Sequence, residues 1–425
     1  MTTSANRKPQ IKRIMREDMT PEDQLCLLLA RGQIKPDVQQ RILKFLASTL
    51  RWPLILEHAH THQIYPLFYR NLRTLGFPGV PDAVQAELKG AFFANALRNQ
   101  LLAEELARLL GSLGEAGIPV IPLKGVTLAE SLYCDKASRV CADIDILVPP
   151  AHVTQALGLL LSSGYRDDFR DQFFSKLALR HGRHYDLARD DRGVSLVIEL
   201  HWKLVQHSYR NDEAVRDLWA EARPKTFFGV PALSLSPEWE LLYLALHAAD
   251  HQWKLLKWIS DIHEIQQLGL IDWQKLKNKA EQFELDLVVR QTLTACALLL
   301  GTSIPTGLSP AGLPTKIRLF PDVPFPAGTP HAAFSHLYVL TRPLDKLRCV
   351  ANVVLVPKQA DRDCLRLPTP LGFLYYVVRP PRLVGRWLLR LAARVLQNCP
   401  VNVGKQREAA RKTQAVEEGQ NSDSA

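Results

Sequence analysis

The sequence predicts an α+β fold in which a small mixed sheet and its covering helices are inserted between N- and C-terminal helical lobes. Three observations predict it. Apolar residues recur at spacings of three and four from Thr20 to about Leu113, through Leu25, Leu28 and Leu29, then Ile42, Phe45 and Leu46, then the long run 84–113. At Ala116-Gly117-Ile118-Pro119 this period gives way to short apolar runs separated by short helical stretches. After Leu235-Ser236-Pro237-Glu238 the helical period returns.

In chain order, residues 1–19 are basic and polar, without an apolar targeting core, and are expected to be disordered. The N-terminal lobe is expected over 20–115, with Pro53, Pro66 and Pro78 starting or breaking helices. The α/β core, 116–235, reads as a strand at 118–123, a helix at 126–133, a strand at 144–148, a helix at 151–163 and a strand at 194–202. Pro119 and Pro122 place the first strand at an edge or terminus of the sheet, because proline cannot donate to the ladder. The C-terminal helical lobe, 236–300, opens with Ser236 as N-cap and Pro237 at the first helical position. Residues 301–330, rich in Pro and Gly, form an irregular linker; 331–400 is a basic C-terminal region; the polar tail 401–425 lacks aromatics and is expected to be disordered.

Composition narrows the function classes. With 425 residues, 47% apolar and 23% charged, the chain can bury a large core. No run approaches the roughly 18 uninterrupted apolar residues of a membrane span, so the expected address is cytoplasmic. Seven cysteines, scattered without a Cys-x-x-Cys pair, read as reduced thiols rather than a disulfide framework or zinc site. The net charge of +10 favours polyanionic partners without choosing among nucleotides, nucleic acid and an anionic membrane.

Chemistry concentrates in one stretch. Asp143 and Asp145, two apart in an apolar strand, point to one face. Neighbouring carboxylates are costly to bury unless a cation neutralises them, so the pair invites a divalent metal. Glu199, in Val197-Ile198-Glu199-Leu200, is the third carboxylate that an adjacent strand would add. Such a cage suits two-metal phosphoryl or nucleotidyl transfer.

Taken together, Leu123-Lys124-Gly125, then Arg139, then Asp143-Ile144-Asp145-Ile146-Leu147-Val148, then Val197-Ile198-Glu199-Leu200-His201-Trp202 resemble the uncharacterised bacterial nucleotidyltransferase family of the DNA polymerase beta-like nucleotidyltransferase superfamily. The flanks resemble it too, in His62-Gln63-Ile64-Tyr65-Pro66-Leu67, Trp258-Ile259-Ser260-Asp261-Ile262 and the segment from Tyr375 to Arg382, so the resemblance covers roughly residues 20–390. It implies that Asp143, Asp145 and Glu199 are catalytic and bind two Mg²⁺ ions, with Mn²⁺ as the alternative, and that an NTP such as ATP is the substrate. Mg²⁺ prefers hard oxygen ligands and usually combines one or two carboxylates with substrate phosphates.

Lys124-Gly125 stands where the superfamily usually carries Gly-Gly or Gly-Ser at a strand-to-helix turn. Glycine there lets backbone approach a phosphate, and the helix N-terminus offers free N–H groups. The lysine is a departure that adds a phosphate-seeking charge or changes what the pocket grips. Thr127 is the candidate for the missing serine hydroxyl, or a local hydrogen bond of the first helical turn. Arg139 is placed to reach a phosphate or to pair with the carboxylates of the empty site. His201 shares the Glu199 face and is a candidate supporting donor, general base or ordinary strand histidine.

Two histidine groups favour packing roles. His247 and His251 share a helix face without a cysteine or a His-Glu-x-x-His pattern, and of His58, His60 and His62 only the outer two share one. Residues 379–396 form a cationic amphipathic helix, with Arg382, Arg386, Arg390 and Arg394 at every fourth position, suited to peripheral contact with an anionic membrane or to a solvated arginine face.

The expected function is therefore Mg²⁺-dependent transfer of NMP from an NTP to an acceptor hydroxyl on a small molecule, sugar, protein side chain or RNA end. The alternative is a non-catalytic nucleotide- or polyanion-binding assembly module.

Overall fold

The structure, a computed structural model, describes residues 19–167, 172–191, 193–204, 210–312, 337 and 340–397. The basic start 1–18, residues 313–336 of the linker region and the tail 401–425 lie outside the described residues. The chain divides into two compact units, one built from 1–168 with 178–350 and the other from 169–177 with 351–425.

The larger unit begins with helices α1 (Pro21–Leu29), α2 (Pro36–Leu46), α3 (Trp52–Thr61), α4 (Tyr65–Thr74) and the 34-residue α5 (Asp82–Glu115). Proline stands in the first turn of each of the first four, where its missing N–H has no helical partner to lose. Thr20 adds a capping box with Asp23. The core of these helices, with Leu25, Ile42, Ile55 and Phe68 fully buried, is continuous with that of the C-terminal helices.

Residues 116–235 hold β1 (Ile121–Pro122), α6 (Val126–Tyr133), β2 (Ile144–Leu147), α7 (Val153–Ser162), α8 (Gln172–His181), β3 (His184–Asp191), β4 (Val194–His201), α9 (Asn211–Ala220) and a hairpin of β5 (Arg223–Phe227) and β6 (Val230–Ser234). The sheet order is β1-β2-β4-β3, with β2 parallel to β4 and the outer pairings antiparallel, so the expected mixed sheet is present. β1 is an edge strand of two residues, in keeping with Pro122 within it.

β3, β5 and β6 go beyond the three strands expected from the sequence. β3 alternates buried Tyr185 and Leu187 with His184 and Asp186, then ends in Arg189-Asp190-Asp191, charges tolerated because this strand is the opposite edge.

After the hairpin come α10 (Pro237–Asp250), α11 (Leu256–Gln267), α12 (Trp273–Gln282) and α13 (Asp286–Leu299). Ser236 Oγ accepts the Trp239 amide and Pro237 opens α10, as expected. Residues 301–312 carry no regular element. Helix α14 (Pro343–Leu355) follows, then α15 (Gln359–Cys364) and α16 (Tyr375–Gln397).

Within the smaller unit, Phe173 and Phe174 pack on Tyr375, and Gly372 is needed because a Cβ there would meet the Phe173 ring at 2.8 Å. Arg379 and Arg382 both pair with the buried Asp361, so these two arginines of the basic helix are not solvated. Val384, Leu388 and Leu389 are exposed. The side chains of Trp387, Arg390 and Arg394 lie outside the described set. Among the described residues, no helix is long and apolar enough to cross a membrane. Cys26, Cys134, Cys141, Cys296, Cys349 and Cys364 are free thiols; Cys399 lies outside the described residues.

Candidate active site

The parallel pairing of β2 with β4 sets Asp145 directly opposite Glu199. Asp143 immediately precedes β2, two residues from Asp145. One oxygen from each of Asp143, Asp145 and Glu199 lies within 4.8 Å of the other two. The Asp145 side chain is fully buried, whereas those of Asp143 and Glu199 are 27% exposed, so the group opens to solvent on one side.

Two cations already stand against these carboxylates. Lys124 Nζ is 2.7 Å from Asp145 Oδ2 and 3.6 Å from Asp143 Oδ1. His201 Nε2 is 3.1 Å from both Asp145 Oδ1 and Glu199 Oε2. Burial works against the charged forms, but the neighbouring carboxylates outweigh it, raising the affinity of both Lys124 and His201 for their protons. Burial likewise pushes the Glu199 carboxyl up, yet the His201 hydrogen bond and the Lys124 charge bring it down to about 2. The group is thus a charged cluster whose two cations offset part of the charge of its three carboxylates.

Gly125 makes this packing feasible. It sits at φ +75° and ψ −132° at the head of α6, and a Cβ would stand 3.3 Å from the Asp143 carbonyl oxygen. Thr127 Oγ1 donates to the Lys124 carbonyl, the local bond of a first helical turn.

Helices complete the surroundings. Tyr243 and His247 of α10 and His251, which caps its C-terminus, form a row, with His247 and His251 ring centroids 4.8 Å apart and both packed on Trp258. Burial raises the Tyr243 phenol well above its ordinary value, and the charges of Asp145 and Glu199 add to the shift, which places this aromatic wall within electrostatic reach of the carboxylates. The earlier histidines are packing groups: His58 faces Asp23 at 3.2 Å and His60 stacks on Tyr65.

Residues 48–301 match a family described as "Uncharacterised nucleotidyltransferase". The chain belongs to that family. The matched span contains every residue of the cluster, so the family's transferase class and the buried carboxylate group coincide in one region. The chain is also similar, at 18% identity, to an antigenic nucleotidyltransferase-like protein from Paracoccidioides brasiliensis, over 48% of this chain and 93% of that one, with a TM-score of 0.31. No curated protein matches the chain.

Of the residues expected to serve a nucleotidyltransferase, the structure brings together Lys124, Gly125, Asp143, Asp145, Glu199 and His201. Arg139, expected to reach a phosphate or to pair with the carboxylates, is paired elsewhere. Its buried guanidinium instead bonds both oxygens of Asp261 on α11, at 2.9–3.1 Å, and Tyr133 Oη donates to the same carboxylate. A buried guanidinium needs acceptors: Asp261 takes its Nε–H and an Nη2–H, and Cys141 Sγ lies 3.7 Å from Nη1.

Sequence reasoning also missed His184 and Asp186, because β3 was not recognised. Their signal was the alternation His184-Tyr185-Asp186-Leu187, polar and apolar by turns. Burial, followed by the charge of His201, lowers the His184 imidazole to about 3.

Proposed function

We propose that this chain transfers a nucleoside monophosphate from an NTP to an acceptor hydroxyl, with Asp143, Asp145 and Glu199 as its divalent-metal ligands. The observation that supports this reading is the convergence of three carboxylate oxygens within 4.8 Å, with Asp145 and Glu199 opposed on parallel strands. The donor set fits Mg²⁺ or Mn²⁺: three hard oxygens, with an ammonium already 2.7 Å from one of them marking where positive charge is favoured. Bound there, two such ions would stabilise the triphosphate and lower the pKa of the acceptor hydroxyl.

The chain's own residues have separate tasks. Asp145, fully buried and braced by Lys124 and His201, holds its carboxylate in one orientation. Asp143 and Glu199 face the open side, where an incoming nucleotide arrives. Glu199, kept ionised by its neighbours, is ready to ligate an ion on that open side. When the carboxylates are otherwise neutralised, Lys124 is free to offer its ammonium to a phosphate, and the backbone at Gly125 admits that phosphate closely. The basic helix 379–396, with Val384, Leu388 and Leu389 exposed, is the part suited to peripheral contact with an anionic membrane.

A second reading, a non-catalytic nucleotide-binding module, draws support from Lys124 and His201, which offset most of the carboxylate charge without any metal. Incubation with each α-labelled NTP, Mg²⁺ and a cell extract as acceptor pool separates the two. Incorporation by the wild type that falls about 10²-fold or more in Asp143→Asn, Asp145→Asn and Glu199→Gln supports transfer. Nucleotide binding without incorporation, indifferent to all three substitutions, supports the module.

A further inference from the structure

Beside the oxygen-only group, the same sheet face carries a second set of donors. β3 and β4 pair with His184 opposite His201 and Asp186 opposite Glu199. Directly opposed residues project to one face, and residues two apart along a strand share it, so two imidazoles stand next to two carboxylates. The His184 and His201 ring centroids are 5.0 Å apart. One donor atom from each of His184, Glu199 and His201 lies within 4.8 Å of the other two.

The separations suit a shared ion. Two ligands about 2.0–2.1 Å from a tetrahedral metal are about 3.3 Å apart. His201 Nε2 and Glu199 Oε2, at 3.1 Å, already span nearly that distance. His184 supplies an independent observation. Its Nδ1 is enclosed and has no hydrogen-bond partner among the described residues, while its Nε2 lies 3.3 Å from Asp186 Oδ1. One nitrogen held by a carboxylate and the other enclosed and unbonded is the disposition of a metal-ligating histidine, whose outer nitrogen is oriented by just such a group.

We infer that His184, His201 and Glu199 form a binding site for one divalent transition-metal ion of the zinc class, with His201 releasing the Nε2 proton it holds against Asp145 and Glu199 as the ion binds. Two imidazoles and a carboxylate leave the fourth tetrahedral position open, as in sites where the ion also meets water or a substrate. Imidazole nitrogen suits Zn²⁺, Co²⁺ or Ni²⁺, whereas Mg²⁺ keeps to oxygen, so the two neighbouring groups select different ions while sharing Glu199. This site does not depend on nucleotidyl transfer being the activity.

The test uses the full chain, stripped by chelator and titrated with Zn²⁺ in excess Mg²⁺ by calorimetry, and with Co²⁺ followed by its visible d–d absorption. One equivalent is expected, with a four-coordinate Co²⁺ spectrum. His184→Ala should weaken Zn²⁺ binding at least about tenfold, and Asp143→Asn should leave it unchanged. Circular dichroism in chelator checks that each variant is folded; should the alanine variant unfold, His184→Gln takes its place. Absence of stoichiometric Zn²⁺ binding overturns the inference, as does loss in Asp143→Asn with retention in the His184 variant. Failure of nucleotidyl transfer would move none of these readouts.

Discussion

Lys124 is the residue whose role changes most between sequence and structure. Read in the chain, it is a phosphate-seeking charge beside a glycine; in the fold it is the buried counter-ion of Asp143 and Asp145. Replacing it with methionine leaves those carboxylates uncompensated, a loss of about 3 kcal/mol or more on the scale of broken buried pairs. Added Mg²⁺ should restore part of that stability, so the melting temperature of Lys124→Met should rise with Mg²⁺ far more than that of the wild type. Gly125→Ala should destabilise the chain by about 1–3 kcal/mol, through the strain of its backbone and the approach of the new Cβ to Asp143; chemical denaturation of the two variants would measure both effects. Asp143, Asp145 and Glu199 were legible because strand period and apolar flanks are local properties. The partner of Arg139 was not, since Asp261 is 122 residues away and only tertiary packing brings the two together.

Among the elements, α5 does more than extend the N-terminal lobe. Its buried Asn95 and Asn99, one turn apart, donate to the carbonyls of Ala137 and Arg139 and hold the segment that leads into β2. Asn→Ala at either position should cost about 1–3 kcal/mol by leaving enclosed carbonyls unpaired. The resulting looseness ahead of β2 should lower activity as well, which kinetics on the folded variants would show. Helix α10 gives a pH signature. Burial, opposed only by the charge of Lys225, raises the Glu240 carboxyl from its ordinary 4.5 to about 7. A proton is therefore held in the fold where the unfolded chain has lost it, and the stability present below pH 4.5 is lost as pH rises through about 7. Glu240→Gln should match the wild type near pH 4 and exceed it by about 1–3 kcal/mol at pH 8 in thermal melts. The helices and the Ser236 cap were readable from periodicity and capping chemistry. β3 and the β5–β6 hairpin were not, because edge strands carry charges that blur the alternation, and β5 opens with Arg223-Pro224-Lys225.

For the molecule as a whole, part of the arginine charge is internal: Arg139 pairs with Asp261, and Arg379 and Arg382 pair with Asp361. The proposed peripheral attachment then rests on what α16 still exposes. Anionic vesicles should retain the chain in low salt, and Leu388→Glu/Leu389→Glu should release it; retention equal to that on neutral vesicles would argue against a membrane role. The cluster of Lys124 and His201 with the three carboxylates bears on how this protein comes into being. A chain that brings its own positive charges to an acidic pocket can complete folding before it ever meets an ion. Newly made copies would therefore be sturdy while still unloaded, and chelator should silence them without melting them. Activity would then track the supply of free ions from moment to moment, leaving the amount of folded protein untouched.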